Sequence, residues 1–361
     1  DSLDVLAEHG VSLLHMISLR DKIVPVQENT LPLINKYIGL GGIATVVPCT
    51  KGLQNLQGHH FSIETPRFVA DFIKYHSLKD MPLSSSDYHQ IRGGLRNSQI
   101  QFEINKKGRV AFLGGSITYN SGWRDSVCDY LETRFPETEF EFIEAGIPSM
   151  GTTPAAFRLE RDVLSAGRID LLFEEAAVND ATNGRTPDEQ IRAMEGIIRH
   201  LRKSNPAIDI VMIHFVDPNK IADYNQKIEP EVIVNHNQVA DHYNIPMINL
   251  AKEVTDRINN GEFTWENDFK NLHPSPFGQG VYANSIIHFL NHAFTNCLHP
   301  DDKLITQNLP VRIDKNSYDN GHLLDVNNAK LSKGWSIDPS WNPRDGTGTR
   351  SNFVDVPMLI G

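Results

Sequence analysis

The stretch RVAFLGGSIT, residues 109–118, decides the fold. Its apolar run from Val110 to Leu113 predicts a buried strand, and Gly114 and Gly115 predict a sharp turn into a helix at Ser116. Four more apolar runs predict buried strands, and two stripes of apolar residues at helical spacing predict crossover helices. The runs are Phe140–Ile143, Ile169–Val178, Ile210–Val216 and Met247–Leu250, and the stripes are Trp123, Val127, Leu131, Phe135 and Ile191, Met194, Ile198, Leu201.

This alternation is typical of an α/β fold. We predict a flavodoxin-like, three-layer α/β/α architecture with a parallel sheet of about five strands, plus N-terminal and C-terminal extensions. In such a sheet, ligands bind beyond the carboxyl ends of the strands. The residues that follow each predicted strand are therefore the first candidates for a functional site.

Composition narrows the class of protein. The 361 residues include 34 basic and 45 acidic side chains, for a formal net charge of −11, and 40% are hydrophobic. No apolar run reaches the roughly 18 residues that a membrane-spanning helix needs, and the acidic balance opposes binding to phosphate backbones. Three cysteines without a CxxC pair argue against a disulfide scaffold or a zinc knuckle. We therefore expect neither nucleic acid nor membrane as a partner.

The chain is predicted to have three parts. Residues 1–100 form an accessory region to which the sequence assigns no fold, because glycine pairs interrupt its apolar segments Pro32–Val47 and Phe61–His76. Residues 101–298 form the α/β domain. Residues 299–361 are a polar extension with a probable loop at Asp345–Gly348 and a terminal strand from Phe353 to Leu359. That strand either pairs with the N-terminal region or marks a cut end of a longer chain.

Ser116 is the first candidate for chemistry. A serine on a glycine-rich turn between strand and helix presents its hydroxyl at the sheet edge, near a helix N-terminus that favours developing negative charge. This placement suits a nucleophile. A helix cap or a turn that cradles phosphate accounts for the same motif.

Three other strand ends carry polar groups. Asn179 follows the third predicted strand, where its amide can donate to an oxyanion, although Asn-Asp is also a common turn. The loop from Glu144 to Thr152 offers backbone amides. His273 precedes the last helix and is flanked by Leu272 and Pro274, a rigid setting for a general base.

Taken together, these residues resemble the SGNH family, also called GDSL-type hydrolases, over roughly residues 108–294. The Gly-Asp-Ser block resembles Gly114-Gly115-Ser116, which implies Ser116 as nucleophile. The Gly-x-Asn-Asp block resembles Ala177–Asp180, which implies Asn179 as an oxyanion-hole donor. The glycine block resembles Ala145–Thr152 in more than one register and implies Gly151 as the backbone donor, with Ser149 as the alternative. Gly115, Ser149 and Asp180 are expected to line the substrate site.

The final block departs from the family pattern. It normally reads Asp-x-x-His, but Lys270 stands three residues before His273. We expect Asp268 to complete the triad by way of a bulged loop. Asn271 or a backbone carbonyl that orients the ring of a Ser-His dyad is the alternative.

The resemblance implies a serine esterase that works through an acyl-enzyme. The aromatic and polar mixture of Tyr119, Asn120, Ser121 and Trp123 favours carbohydrate O-acyl esters, O-acetyl esters above all. The alternatives are a lipase or lysophospholipase, and a catalytically silent domain that binds glycans, which Lys270 supports.

We expect no metal and no cofactor. No HExxH or comparable ligand spacing accompanies His59-His60, or His214 with Asp217, and His214 is predicted to be a satisfied core histidine. A nucleotide-binding flavodoxin-like domain would leave Asn179 and His273 unexplained. The expected partner is a small-molecule or polysaccharide ester. Extra polar segments on both flanks fit a periplasmic or secreted polysaccharide-processing enzyme, and they fit an interaction module as readily. The first residue is Asp1 and no leader sequence precedes it, so any signal peptide would already be removed.

Overall fold

The computed structural model describes residues 2–8, 10–51, 55–63, 66–77, 88–343 and 354–361. The chain forms two compact units, Asp1–Pro82 and Leu83–Gly361. No helix among these residues is long and apolar enough to cross a membrane.

The first unit is built around a small parallel sheet. Strand β1 pairs with β2 in parallel, with Leu13 opposite Ala44 and Ile17 opposite Pro48, and helix α2 connects the two strands. Such a β-α-β connection is the basic unit of parallel sheets. The elements are α1 (Ser2–Glu8), β1 (Leu13–Ile17), α2 (Thr30–Gly39), β2 (Ala44–Pro48), a 3-10 turn (Asn55–Gly58) and α3 (Pro66–Ser77).

The second unit contains a six-stranded sheet in the order β3-β8-β7-β6-β4-β5, in which β3 runs antiparallel to β8 and the other pairs are parallel. The elements are β3 (His89–Gln90), α4 (Arg96–Glu103), β4 (Lys107–Gly114), α5 (Ser116–Tyr119), α6 (Trp123–Arg134), β5 (Glu139–Gly146), α7 (Thr152–Asp162), a 3-10 turn (Leu164–Ala166), β6 (Leu171–Glu175), α8 (Ala177–Thr182), α9 (Pro187–Ser204), β7 (Asp209–Ile213), α10 (Pro218–Asn225), α11 (Glu231–Tyr243), β8 (Met247–Ile248), α12 (Leu250–Asn259), a π-helical turn (Trp265–Phe269), α13 (Pro276–Ala293), a 3-10 turn (Val326–Asn328), β9 (Ser336–Trp341) and β10 (Val356–Ile360).

The predicted three-layer architecture is confirmed. The five parallel strands follow the flavodoxin order, in which the first strand lies between the second and the third. On one face, Ala111 and Leu172 pack under α7, α9 and α11. On the other face, Phe112 stacks on Phe173 with ring centroids 5.3 Å apart, and Trp123 of α6 closes over both.

Several details of the sheet differ from the prediction. The fourth and fifth strands end at Ile213 and Ile248 rather than at Val216 and Leu250. The third strand ends at Glu175 rather than Val178, and the residues from Ala177 onward begin α8. A buried apolar run does not distinguish strand from buried helix, so its length misled the prediction. The antiparallel edge strand β3 went unpredicted because His89 and Gln90 carry no apolar signal.

The flanking segments pack within the second unit. Helix α4, predicted to fall partly in an accessory region, packs on β4 and β7, and the main-chain N–H of Ser98 donates to Asp209 at 2.7 Å. Beyond α13, the chain follows helix α9 as an extended strap. There the N–H of Ile313 donates to buried Glu195 at 2.6 Å, and Arg199 donates to the carbonyl of Pro310 at 2.7 Å.

The terminal strand has a partner. Strand β10 pairs antiparallel with β9, with Leu359 opposite Ile337. This partner is neither of the two alternatives that the sequence suggested. Phe353 and the predicted loop Asp345–Gly348 lie outside the described residues.

Candidate active site

The turn that carries Ser116 is shaped by two glycines. Strand β4 ends at Gly114, and Ser116 begins α5 directly after Gly115. A Cβ on Gly114 would lie 2.4 Å from Oγ1 of Thr118, and a Cβ on Gly115 would lie 1.9 Å from Oδ1 of Asn179. Neither distance leaves room for a carbon atom. The glycines are therefore required by close approach, which lets the Asn179 amide lie directly against the serine turn.

His273 reaches this turn from a distant part of the chain. Its Nε2 lies 2.7 Å from Oγ of Ser116, a distance that fits a hydroxyl donating to an imidazole that carries its proton on Nδ1. The main-chain N–H of His273 donates to Oδ1 of Asn271 at 2.7 Å. Asn271 therefore fixes the backbone of the loop rather than the imidazole ring. The ring itself is exposed.

Asp268 is not brought to the imidazole. Its carboxylate accepts hydrogen bonds from the N–H of Thr264 at 2.7 Å and from Oγ1 of Thr264 at 3.0 Å. Its carbonyl accepts a hydrogen bond from the hydroxyl of Ser275. Within the described ranges, no hydrogen bond joins a side chain to Nδ1 of His273. The carboxylate predicted to complete the triad instead closes the π-helical turn, in the manner of a capping box.

The two predicted oxyanion donors lie in and beside α8. Asn179 is in the first turn of this helix, and Gly151 immediately precedes α7. A Cβ on Gly151 would lie 2.0 Å from Oδ1 of Asp180, so this glycine also permits close packing. Neither Nδ2 of Asn179 nor the N–H of Gly151 donates a hydrogen bond to any described residue. Both donors are therefore available to a ligand.

Asp180 lies inside the protein, where the structure leaves it no contact with substrate. Its carboxylate accepts hydrogen bonds from the N–H of Thr152 at 2.9 Å and from its hydroxyl at 2.7 Å, and it contacts Nε2 of His236 at 3.0 Å. The predicted substrate-lining role of Asp180 therefore does not fit this position. The bond to Thr152 instead holds the chain just after Gly151.

The other predicted lining residues differ in exposure. Gly115 is buried under Asn179, whereas Ser149 is exposed, has a left-handed φ of 64°, and accepts a hydrogen bond from Asn183 on its carbonyl at 2.9 Å. Trp123, expected to favour sugar binding, is buried in the core and cannot touch a ligand. Tyr119 remains exposed.

His214 lies in the core, as predicted, but it is not satisfied. Neither ring nitrogen has a hydrogen-bond partner among the described residues, and the ring packs against His236 with centroids 5.8 Å apart. Burial holds the pKa of His214 well below its usual value, and His236 lowers it further. The ring is therefore neutral. No three His, Cys, Asp or Glu side chains among the described residues gather as a metal site requires.

Glu175 was not predicted from the sequence. This buried carboxylate ends β6 beneath the serine turn, with Oε2 3.5 Å from the N–H of Gly115. Burial raises the pKa of Glu175 to about 7, although the N–H groups of Gly115 and Val178 and the charge of Lys220 lower it. The sequence feature that could have identified it is the pair Glu174 and Glu175 inside an apolar strand, since carboxylates are almost never fully buried unless they are paired.

Comparisons with known proteins agree with this arrangement. Residues 112–281 match the model of the GDSL-like Lipase/Acylhydrolase family. A solved two-domain esterase (CEX) active on acetylated mannans, co-crystallised with mannopentaose, has a similar structure at 24% identity, with a TM-score of 0.52 over 64% of this chain and 60% of its own. A second structure of a two-domain esterase (CEX) active on acetylated mannans matches at 24% identity with a TM-score of 0.50, covering 63% of this chain and 62% of its own.

The matches to these solved proteins thus span about three fifths of their length, and at this identity they show the fold. A comparison with curated protein sequences found no significant match. The family match covers β4 to α13, which include Ser116, Asn179 and His273. Within the second unit, residues 112–281 are therefore similar to a GDSL-like lipase/acylhydrolase domain.

Proposed function

We propose that the second unit is a serine esterase that hydrolyses O-acetyl esters on carbohydrate. The observation that carries this proposal is the 2.7 Å contact between Oγ of Ser116 and Nε2 of His273 at the carboxyl edge of the sheet. Nucleophile and base within hydrogen-bond reach are what acyl transfer through a covalent intermediate requires. Similarity to the hydrolase family supports the same reaction class.

In the proposed mechanism, Nε2 of His273 removes the proton of Ser116 as its oxygen bonds to the ester carbonyl carbon. The amide of Asn179 and the N–H of Gly151 stabilise the negative charge of the tetrahedral intermediate. His273 then donates its proton to the departing sugar hydroxyl. Water, deprotonated by His273, releases acetate from the acyl-enzyme and restores the serine.

The base works in this proposal as one half of a Ser-His dyad. Since the Asp268 carboxylate is bound to Thr264, the loop itself must orient His273, with its N–H held by Asn271. A charged imidazole is then stabilised by solvent, because the ring is exposed. A Ser-His dyad has no carboxylate to stabilise the charged imidazole. In enzymes with a triad, that carboxylate raises kcat by about 10⁴-fold.

The substrate class is supported by the surroundings of the serine and by the solved esterase. Tyr119, three residues after Ser116, offers an exposed aromatic ring beside the polar side chains of Asn120 and Ser121. Sugars bind to surfaces that combine one apolar face with hydrogen-bonding groups. The esterase with a similar fold is active on acetylated mannans. A polysaccharide substrate supports the expected location in the periplasm or outside the cell.

The test is hydrolysis of p-nitrophenyl acetate and p-nitrophenyl octanoate by the wild type, Ser116→Ala and Ser121→Ala. We expect wild-type preference for acetate, a loss of kcat on the order of 10⁴-fold or more in Ser116→Ala, and little change in Ser121→Ala, an exposed serine nearby. Release of acetate from acetylated mannan is then measured. Preference for octanoate would favour a lipase.

One observation favours a second candidate, a silent glycan-binding domain. It is the absence of a carboxylate bonded to His273 among the described residues, together with Lys270 in the sequence position of the family acid. Under this alternative, neither ester is hydrolysed while oligosaccharide still binds. That outcome would refute the esterase.

A further inference from the structure

The first unit contains its own contact between an aspartate and a histidine. Oδ2 of Asp21 lies 2.8 Å from Nδ1 of His59, although the two residues are 38 positions apart. Asp21 follows β1 and His59 follows β2, and these strands are parallel neighbours. Both side chains therefore project at the carboxyl edge of a parallel sheet, where ligands bind in α/β proteins.

The carboxylate is held from both sides. While Oδ2 of Asp21 faces the imidazole, Oδ1 accepts hydrogen bonds from the N–H groups of Ile23 at 2.9 Å and Val24 at 2.8 Å. Burial raises the pKa of Asp21, and the bonds from Val24, His59 and Ile23 outweigh it, so the pKa lies below its usual value. The carboxylate is therefore ionised and fixed in orientation.

The turn that precedes His59 packs closely against the loop that carries Asp21. Gly58 has a φ of +86°, and a Cβ there would lie 2.3 Å from the carbonyl oxygen of Arg20. Leu56 and Gln57 also adopt left-handed backbone with φ of 43° and 54°, a conformation that non-glycine residues rarely occupy. Strained backbone of this kind concentrates at functional sites. This strained backbone lowers the stability of the fold, and a surface ion pair stabilises a protein by only about 0–1 kcal/mol. The contact between His59 and Asp21 therefore does not offset the strain by its own stability.

The contact with Asp21 leaves His59 able to act as a base. A carboxylate at Nδ1 holds the proton there and leaves the lone pair of Nε2 available. No described residue forms a hydrogen bond with Nε2 of His59. The side chain of His59 is 39% exposed, whereas that of Asp21 is only 9% exposed. The pair thus presents a basic nitrogen to the outside and buries its acid, as hydrolytic triads do.

We propose that Asp21 and His59 are the acid and base of a second hydrolytic site, whose nucleophile is a serine hydroxyl supplied from outside residues 10–63. In α/β-hydrolases, whose serine lies on a turn between strand and helix, the chain order is serine, then acid, then histidine. The order of Asp21 and His59 on successive parallel strands fits that arrangement. In this part of the chain β1 and β2 pair only with each other, and most of their residues are merely half-buried, although parallel strands are normally covered on both faces. A serine hydroxyl that completes the site would lie at this carboxyl edge, within hydrogen-bond reach of Nε2 of His59.

The reaction is acyl transfer from an ester or amide. Nε2 of His59 takes the serine proton as the serine oxygen bonds to the carbonyl carbon, and it returns that proton to the leaving alcohol or amine. Asp21 stays ionised and stabilises the charged imidazole. Water then hydrolyses the acyl-serine, with its proton passing through His59.

The first test uses the 361-residue chain. Long-range ¹H–¹⁵N NMR correlations report which ring nitrogen carries the proton in neutral histidine. We expect His59 to carry it on Nδ1 and the neighbouring His60 to carry it mainly on Nε2. Protonation of Nε2 in His59 would overturn the proposal, because that nitrogen then has no lone pair to act as base.

The second test uses the natural full-length protein, with Ser116→Ala present throughout, and a fluorophosphonate probe that labels activated serines. We expect one labelled serine to remain and its labelling rate to fall by about 10³-fold or more in His59→Gln. His60→Gln is the matched control and should not change the rate. Asp21→Asn, which preserves side-chain shape, should also slow labelling. Absence of label, or labelling indifferent to His59→Gln in folded protein, would refute the second site without bearing on Ser116.

Discussion

Replacing Gly115 by alanine tests whether the Asn179 amide is held against the serine turn for catalysis. The new Cβ would lie 1.9 Å from Oδ1 of Asn179, whereas real Cβ contacts are essentially never shorter than 3.0 Å. Gly115 has a φ of −90°, so alanine strains no backbone there, and the clash acts on the amide alone. The amide must therefore move by at least about 1 Å, a misplacement that can lower rates about 100-fold.

The expected loss is in kcat. Displacing one oxyanion-hole donor costs about 10²-fold to 10³-fold, or about 2.7–4 kcal/mol of transition-state stabilisation. We expect Gly115→Ala and Asn179→Ala each to show a loss of this size with p-nitrophenyl acetate. Gly280→Ala is the matched control, since no atom lies within 4 Å of a Cβ at that helical glycine, and its kcat should be unchanged.

The double variant Gly115→Ala with Asn179→Ala tests whether both substitutions act through the Asn179 amide. If Gly115→Ala acts by displacing Asn179, then Gly115→Ala with Asn179→Ala should be no slower than Asn179→Ala alone, because the clashing amide is gone. Losses that multiply in the double variant would show that Gly115 acts independently of Asn179. Circular dichroism and the Tm of each variant separate this effect from unfolding.

Three further predictions concern the carboxylates around the site. Asp268→Ala should lower kcat less than about 10-fold and destabilise the fold by about 1 kcal/mol, because its carboxylate caps Thr264; a loss near 10⁴-fold would show that it serves His273 after all. Asp180→Ala should lower the free energy of unfolding in urea by about 3 kcal/mol, because it removes the buried partner of Thr152; a cost below about 1 kcal/mol would contradict this. Glu175 has a folded pKa of about 7, above its ordinary 4.5, so its stabilising contribution is complete below pH 4.5 and is lost as the pH rises through 7. In the wild type, this group should lower the free energy of unfolding by ~3 kcal/mol between pH 5 and pH 8. Glu175→Gln should abolish that part of the decrease, and a decrease as large as in the wild type would refute the assignment.

The sheet was predictable because its signal is local. Val110 to Leu113 is an uninterrupted apolar run that ends in glycines, and four similar runs separated by helical spacing leave few alternatives to a parallel sheet. Ser116 was placed at the carboxyl edge by topology, since it directly follows the first predicted strand. His273 comes after α12 rather than after a strand, so it was assigned to the same site by the family resemblance. The structure brings them within 2.7 Å across 157 residues of chain.

What escaped prediction depends on contacts that sequence spacing does not encode. Asp268 stands near His273 in sequence, but Thr264 is nearer still and takes its carboxylate. Asp180 was assigned to the substrate surface from its motif, whereas helix α8 turns it toward Thr152. Glu175 went unnoticed because an apolar strand does not reveal which of its polar members approaches a turn. In each case a side chain had several possible partners, and packing chose between them.

The dipeptide Asn179-Asp180 shows how the site is held together. Consecutive residues of a helix point about 100° apart, so α8 presents one side chain to each of two neighbouring loops. Asn179 lies against Gly115 of the serine turn, and Asp180 holds Thr152, directly after Gly151. Any shift of α8 therefore moves both proposed oxyanion donors at once. This coupling explains why glycine stands at both contact positions: a Cβ at Gly115 or Gly151 would displace a side chain of the same short helix.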